Sequence, residues 1–222
     1  MPDRILVIAP HPDDEILGVG GLMAKHVEAG DPVTVLTVAG HRPPLYTEET
    51  YQRTVSEARA AHAIVGVTKS VFLDLPATML GAEPVHVLNK RIVDAVRDAN
   101  PTVVLLPFPD RHIDHRLVFD AAMVATRPVG IGRDLRLVAA YETLSETHWN
   151  APHIEPNFVP TWVCDISEQV TKKIIALKCY ESQISPFPGP RSVEAVLALA
   201  AFRGTQAGFA HGEALHIIRM RT

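Results

Sequence analysis

Four short apolar runs, each separated from the next by a stretch of helical length, constrain this chain more than any other feature of it. ILVIAP (Ile5–Pro10), VTVLTVA (Val33–Ala39), SVFLDL (Ser70–Leu75) and TVVLLPF (Thr102–Phe108) are nearly uninterrupted in hydrophobicity, the pattern of strands buried on both faces. Between them, Ile16–Ala29 reads as a helix stopped by Gly30, Glu48–Val65 as one stopped by Gly66, and Val85–Ala99 as one ending before Asn100-Pro101. The order βαβαβαβ predicts a parallel sheet with helices on both of its faces.

The remainder of the chain is less regular. Strands are expected at Leu137–Glu142, Val159–Ile166 and Ala214–Ile218 and helices at Val170–Ser182 and Ser192–Arg203, while no element is assigned between Phe108 and Leu137. Prolines at 152, 156, 160, 186, 188 and 190 turn this half into loops of the kind that ring a ligand crevice. The expected fold is therefore α/β and Rossmann-like, three layers about a mostly parallel sheet, with an irregular C-terminal portion over the site. Residues 1–222 are expected to form one domain, since no linker or repeat divides them.

Charge and cysteine content exclude several settings. With 21 Lys and Arg against 25 Asp and Glu, the net charge is −4, and no basic cluster offers the footprint of a nucleic-acid binder. Two cysteines, Cys164 and Cys179, provide neither a disulfide framework nor a thiolate metal cage, which favours a reducing compartment. The first apolar run is short and followed at once by acids, unlike a secretory leader, and no segment reaches the roughly 18 apolar residues of a membrane span. A cytoplasmic protein without a transmembrane segment is expected. Eleven of the 222 residues are histidine, so the useful question is where they stand.

Three of them stand directly after strands. The first strand runs into His11-Pro12-Asp13-Asp14-Glu15, and the fourth into Asp110-Arg111-His112-Ile113-Asp114-His115. If the strands take the doubly wound order 3-2-1-4, the two clusters meet across the crevice at the switch point, where open α/β sheets bind ligands. Two imidazoles and one carboxylate from them would make a catalytic zinc set with a position open for water or substrate. A carboxylate that does not ligate could then serve as general base, and a further histidine could stabilise an oxyanion or protonate a leaving amine. The ordinary roles of such residues are helix capping and surface polarity, but those roles explain each cluster alone better than the pair in matching positions. The parts suit metal-assisted hydrolysis of an amide.

Ala-Pro-His-Pro-Asp-Asp-Glu (Ala9–Glu15) followed by Gly18-Val19-Gly20-Gly21 resembles the signature of the PIG-L/LmbE-like zinc-dependent N-deacetylases. The similarity extends along most of the chain: Arg53, Glu57 and Ala61 with Val65-Gly66-Val67, then His112-Ile113-Asp114-His115-Arg116, then Lys173, Tyr180 and Ser182-Gln183. Gly212-Glu213-Ala214 stands where the family often has Ala-Glu-Ala-Phe, with His211-Gly212 and Leu215 departing from that pattern. The resemblance implies that His11, Asp14 and His115 bind Zn2+, that Asp13 is the general base, and that His112 stabilises the oxyanion or acts as acid, oriented by Asp114. It also implies removal of an acetyl group from an N-acetylated amino sugar such as an N-acetylglucosamine conjugate, and a homo-oligomer, trimeric or hexameric. Iron, cobalt or manganese could replace zinc in such a His₂Asp site.

Other candidates rest on single residues. Arg53 and Glu57, one helical turn apart, form either a surface ion pair or, at the crevice, a contact to substrate; Arg116 is a candidate for binding anionic groups. Trp149, beside His148, is a candidate platform for a sugar ring. The glycine run lacks the spacing of a dinucleotide loop and is preceded by acids, which argues for close helix-to-sheet packing instead. Hydrolysis of another amide, an ester or a phosphoester by the same metal set, and a sugar-binding protein of this fold without turnover, are the competing functions.

Overall fold

A computed structural model of the chain describes residues 2–221. Its seven-stranded sheet comprises β1 (Ile5–Ala9), β2 (Val33–Gly40), β3 (Lys69–Pro76), β4 (Val103–Pro107), β5 (Leu137–Tyr141), β6 (Trp162–Asp165) and β7 (Gly212–Met220). They lie in the order β3-β2-β1-β4-β5-β7-β6. The first five pair in parallel, as the four apolar runs require, and β7 runs antiparallel to both β5 and β6. Six helices cover the sheet: α1 (Asp14–Glu28), α2 (Glu48–Val65), α3 (Val85–Ala99), α4 (Ile113–Ala125), α5 (Val170–Leu177) and α6 (Val193–Thr205).

Strand alternation divides the interior into two cores. Ile5 and Val7 of β1 point to the side where α1, α2, α5 and α6 contribute Ile16, Ala58, Ala176 and Val196, whereas Leu6 and Ile8 point to the side of Ile92 from α3 and Val118 from α4. Both faces of β1 are thus dry. Its neighbours β2 and β4 lead to helices on opposite sides, and this reversal opens the crevice beyond the C-terminal ends of β1 and β4.

Capping explains several boundaries. Thr47 Oγ1 accepts from Thr50 N to start α2, which ends at Gly66 with φ 92°, and Ser192 Oγ accepts from Ala195 N to start α6. Three departures from the sequence expectation have local causes. Helix α4 goes unannounced in the sequence because it begins inside the Asp110–His115 cluster, takes His112 as its N-cap and buries Ala121, Ala122 and Ala125 beside Asp114, His115 and Val118, a face with little periodic contrast. Helix α5 ends at Leu177 and not at Ser182, and just beyond its end Tyr180 is fully buried with its hydroxyl on Glu15. Strand β6 starts at Trp162, after Pro160, which lacks the N–H a ladder needs. Among the described residues no helix is long and apolar enough to cross a membrane.

Candidate metal centre

The turn after β1 is held by its own side chains. His11 N donates to Asp14 Oδ2 at 2.9 Å, and Asp13 caps α1 through its carbonyl, which accepts from Ile16 N and Leu17 N. Asp13 has φ 110°, a conformation that L side chains rarely adopt, and its carboxylate makes no cap bond. The side chain is instead turned to the crevice, where Asp13 Oδ2 accepts from Arg191 Nε at 2.8 Å. Behind it the fully buried Glu15 accepts from the Tyr180 hydroxyl and, at 3.3 Å, from Asp13 N.

The loop after β4 supplies the other half. Asp110, fully buried, is its hub: Oδ1 accepts from His112 N at 3.0 Å, and Oδ2 accepts from Thr147 Oγ1 at 2.8 Å and bonds His115 Nδ1 at 3.1 Å. His112 caps α4, its Nδ1 accepting from Asp114 N at 3.2 Å. The Asp114 carboxylate does not reach the His112 ring; its Oδ2 bonds His11 Nε2 at 2.8 Å and accepts from Thr78 N at 2.6 Å.

These contacts fix the imidazole tautomers. The outer N–H of His11, at Nε2, is committed to Asp114, and that of His115, at Nδ1, to Asp110. Once the rings are neutral, as a bound cation would make them, their other nitrogens carry lone pairs, and both face one oxygen: Asp14 Oδ2 lies 3.2 Å from His11 Nδ1 and 3.3 Å from His115 Nε2. His115 Nε2 is buried without a hydrogen-bond partner. Two imidazoles, each backed by a carboxylate and each turning its inner nitrogen to a third carboxylate, fit a divalent metal of the zinc type. His112 stands against both rings, its centroid 4.7 Å from that of His11 and 4.9 Å from that of His115, and donor atoms of the three histidines all lie within 4.8 Å of one another.

The electrostatics divide these groups by role. Burial opposes the charged form of His11, yet its bonds to Asp114 and Asp14 hold it up to about 9. Burial likewise opposes charge on His115, but Asp14 and Asp110 raise it to about 10. Asp14 is buried too, and the two histidines nevertheless hold it well below the usual carboxylate range. Where the carboxylates hold positive charge this strongly, a cation can replace the protons. Burial pushes Asp13 up to about 7 against the pull of Arg191, with Asp14 and Glu15 adding to the rise. Burial and the neighbouring histidines lower His112 to about 4, so it is neutral near pH 7, and with Nδ1 accepting, its Nε2 carries the hydrogen.

The crevice above this floor encloses about 210 Å³. His11, Asp13, His112 and His115 line it, whereas Asp14 and Asp114 are buried beneath. Arg191 and Gln183 reach it from the irregular segment between α5 and α6, and His41, Thr78 and Glu146 complete its polar wall. The other three sequence candidates lie outside the lining. Arg53 projects from α2 toward Glu57 at 3.1 Å, and Glu57 also accepts from Ser182 N. Arg116 bonds Asp110 O and the Glu155 carboxylate, and Trp149 is 54% exposed on a short turn. Asp110 and Arg191 were not singled out as carriers of a role. Asp110 lies in the cluster already marked, two residues from His112, while Arg191 follows a proline-rich loop and has no sequence signal of its own.

An open α/β sheet with a histidine- and carboxylate-lined crevice at its switch point places this chain among the doubly wound proteins that bind ligands beyond the C-terminal ends of their strands. Residues 6–126, more than half of the chain, match the family model described as PIG-L, GlcNAc-PI de-N-acetylase, and the chain belongs to that family. It is 27% identical to the diacetylchitobiose deacetylase of Thermococcus kodakarensis over 97% of this chain and 83% of that protein. Among solved structures it resembles the conserved protein TT1542 from Thermus thermophilus, with a TM-score of 0.77 and 25% identity over 99% of this chain and 96% of that one. The fold is shared as well by the 4-carboxy-2-hydroxymuconate hydratase GalB from Pseudomonas putida, at a TM-score of 0.79 and 20% identity, covering 98% and 97% of the two chains.

Proposed function

We propose that this protein is a zinc-dependent hydrolase that removes the acetyl group from the nitrogen of an N-acetylated amino sugar, with residues 1–222 acting as one cytoplasmic catalytic domain. The observation that carries the proposal is the convergence of two imidazole nitrogens, His11 Nδ1 and His115 Nε2, each within 3.3 Å of Asp14 Oδ2. Family membership and the deacetylase activities named for relatives supply the reaction class. Two free cysteines, one of them buried, suit the cytoplasm.

His11, Asp14 and His115 would hold the metal, which when bound polarises the amide carbonyl and makes water a nucleophile near neutral pH. Asp13 accepts the proton of the attacking water, its position near pH 7 being that of an effective base, and Arg191 holds its carboxylate in place. His112 directs its Nε2–H to the carbonyl oxygen as negative charge develops there. Asp13 then returns its proton to the departing amine. Asp110 and Asp114 keep the rings of His115 and His11 in the tautomers that leave the ligating nitrogens bare.

A second reading has one observation behind it: the fold supports a hydratase in GalB, so water activation and not amide cleavage would be the common element. Acetate release from a panel of N-acetylglucosamine conjugates by zinc-reconstituted protein decides between them. Release that is lost in His11→Ala supports the deacetylase. Full activity in that variant, or no acetate from any conjugate, overturns it.

A further inference from the structure

The glycine run Gly18-Val19-Gly20-Gly21 takes no part in this chemistry, yet it marks the place where α1 breaks. Val19 has φ −137° and ψ 24°, outside helical space, with helix on both sides of it. Such a break opens the i→i−4 ladder and leaves backbone groups on each side in need of partners. Two charges from distant parts of the chain fill it. Lys173 Nζ, from α5, donates to Leu17 O at 2.8 Å. The Glu213 carboxylate, from β7, accepts from Gly21 N at 2.8 Å and from Leu22 N at 2.7 Å. The two side chains join at 2.6 Å and are 4% and 2% exposed.

In an unbroken helix Gly21 N would donate to Leu17 O. Lys173 takes that carbonyl, while Glu213 takes that amide and also Leu22 N, which in such a helix would donate to Gly18 O, so each charge serves one half of the helix. Their signs match the helix ends they meet, the cation at the carbonyls of the first segment and the anion at the amides of the second. Glycine is what lets Lys173 approach: a Cβ at position 20 would stand 3.2 Å from Lys173 Cγ, tighter than an ordinary contact.

We propose that Lys173 and Glu213 are positioning residues that fix the direction of the first turns of α1 and so aim Asp13 and Asp14 at the metal centre; the proposal rests on the metal-site reading above. The segment before the kink is short and anchored at both ends, by the His11–Asp14 turn and by the Lys173 bond to Leu17. The carboxylate of Asp14 moves with it. A buried ion pair that merely filled space would matter to folding alone.

The test is titration with Co2+, followed by its visible absorption, on the whole protein and on Lys173→Met, Glu213→Gln, and the reversed pair Lys173→Glu/Glu213→Lys. Arg203→Met is the control: it breaks a neighbouring buried pair, Arg203–Glu142 at 2.6 Å, whose hydrogen bonds do not involve α1. The two single variants should bind Co2+ ~10- to 100-fold more weakly, with altered absorption, and lower kcat while KM stays within about twofold. The reversed pair should not rescue them, because it places each charge at the wrong helix end. Arg203→Met should lose stability but keep wild-type Co2+ affinity. Wild-type affinity in both single variants, or rescue by the reversed pair, overturns the proposal. Should the variants not fold, amide exchange in the wild-type protein decides: the Gly21 and Leu22 amides should exchange as slowly as those of β1, and fast exchange overturns the cap. Wild-type protein that binds no Co2+ contradicts the metal reading itself, an outcome separate from unaltered variants of a protein that does bind.

Discussion

At the scale of single residues, adjacent aspartates separate by what surrounds them. Burial favours the neutral form of both; two histidines nevertheless hold Asp14 ionised, whereas at Asp13 burial prevails over the pull of Arg191, with Asp14 and Glu15 adding to the rise. Asp13→Ala should therefore keep its metal and lose turnover, while Asp14→Ala should lose the metal; metal analysis beside an activity assay distinguishes them, and the reverse pattern would exchange the two assignments. Arg191 stabilises the charged form of Asp13, so its removal raises the Asp13 pKa. The base is active when deprotonated, and kcat/KM falls as pH drops through that pKa. Arg191→Met should hence move the acid limb of the kcat/KM profile to higher pH than in the wild type, and an unmoved limb would separate Arg191 from the base. Asp110→Asn leaves His115 Nδ1 without its carboxylate and should weaken metal binding by ~10- to 100-fold, read by competition with a chromogenic chelator.

At the scale of elements, the glycine run and the strand ends decide how closely the helices approach the sheet. A Cβ at Gly18 would lie 2.2 Å from the Tyr141 ring, a buried side chain whose hydroxyl donates to Ile8 O. Gly18→Ala, which helix propensity alone would favour, should instead cost about 1–3 kcal/mol in urea unfolding through overpacking; a neutral result would show that β5 can shift away. The expected close packing of this run was legible, but its kink was not, because the partners Lys173 and Glu213 lie over 150 residues downstream of Leu17. Helix α4 shows the converse limit. Its buried face is half alanine, with an aspartate and a histidine besides, and its cap is a histidine, so neither periodicity nor the usual capping residues announced it. Strands β1, β2 and β4, by contrast, were plain, since a strand buried on both faces must be apolar throughout; β3 departs from that expectation, being the sheet's edge strand with only Leu75 buried.

At the scale of the whole molecule, the strand order 3-2-1-4 is what converts two motifs about 100 residues apart into one centre; the alternation of strands and helices predicts a parallel sheet but leaves that order as a condition, which the sheet meets. The residues at the crevice floor were legible because both clusters follow buried strands. The crevice wall was not, since Arg191, Glu146 and His41 come from loops whose course no local pattern sets. A metal that joins β1 to β4 also stabilises the folded state by mass action. Chelation should lower the Tm of the wild type and added zinc restore it, while Asp14→Ala should already melt at the lower value and respond to neither. Equal responses in the two proteins would place the bound metal elsewhere.

The most direct test of the deacetylase mechanism measures acetate released from N-acetylglucosamine conjugates by the zinc-loaded wild type and by Asp13→Ala, with the zinc content of both determined in the same preparations. The wild type should carry zinc at this site and release acetate, and Asp13→Ala should carry as much zinc and release at least ~100-fold less, the contribution expected of a general base. Equal acetate release by the two zinc-loaded proteins, or none from the wild type, would contradict it.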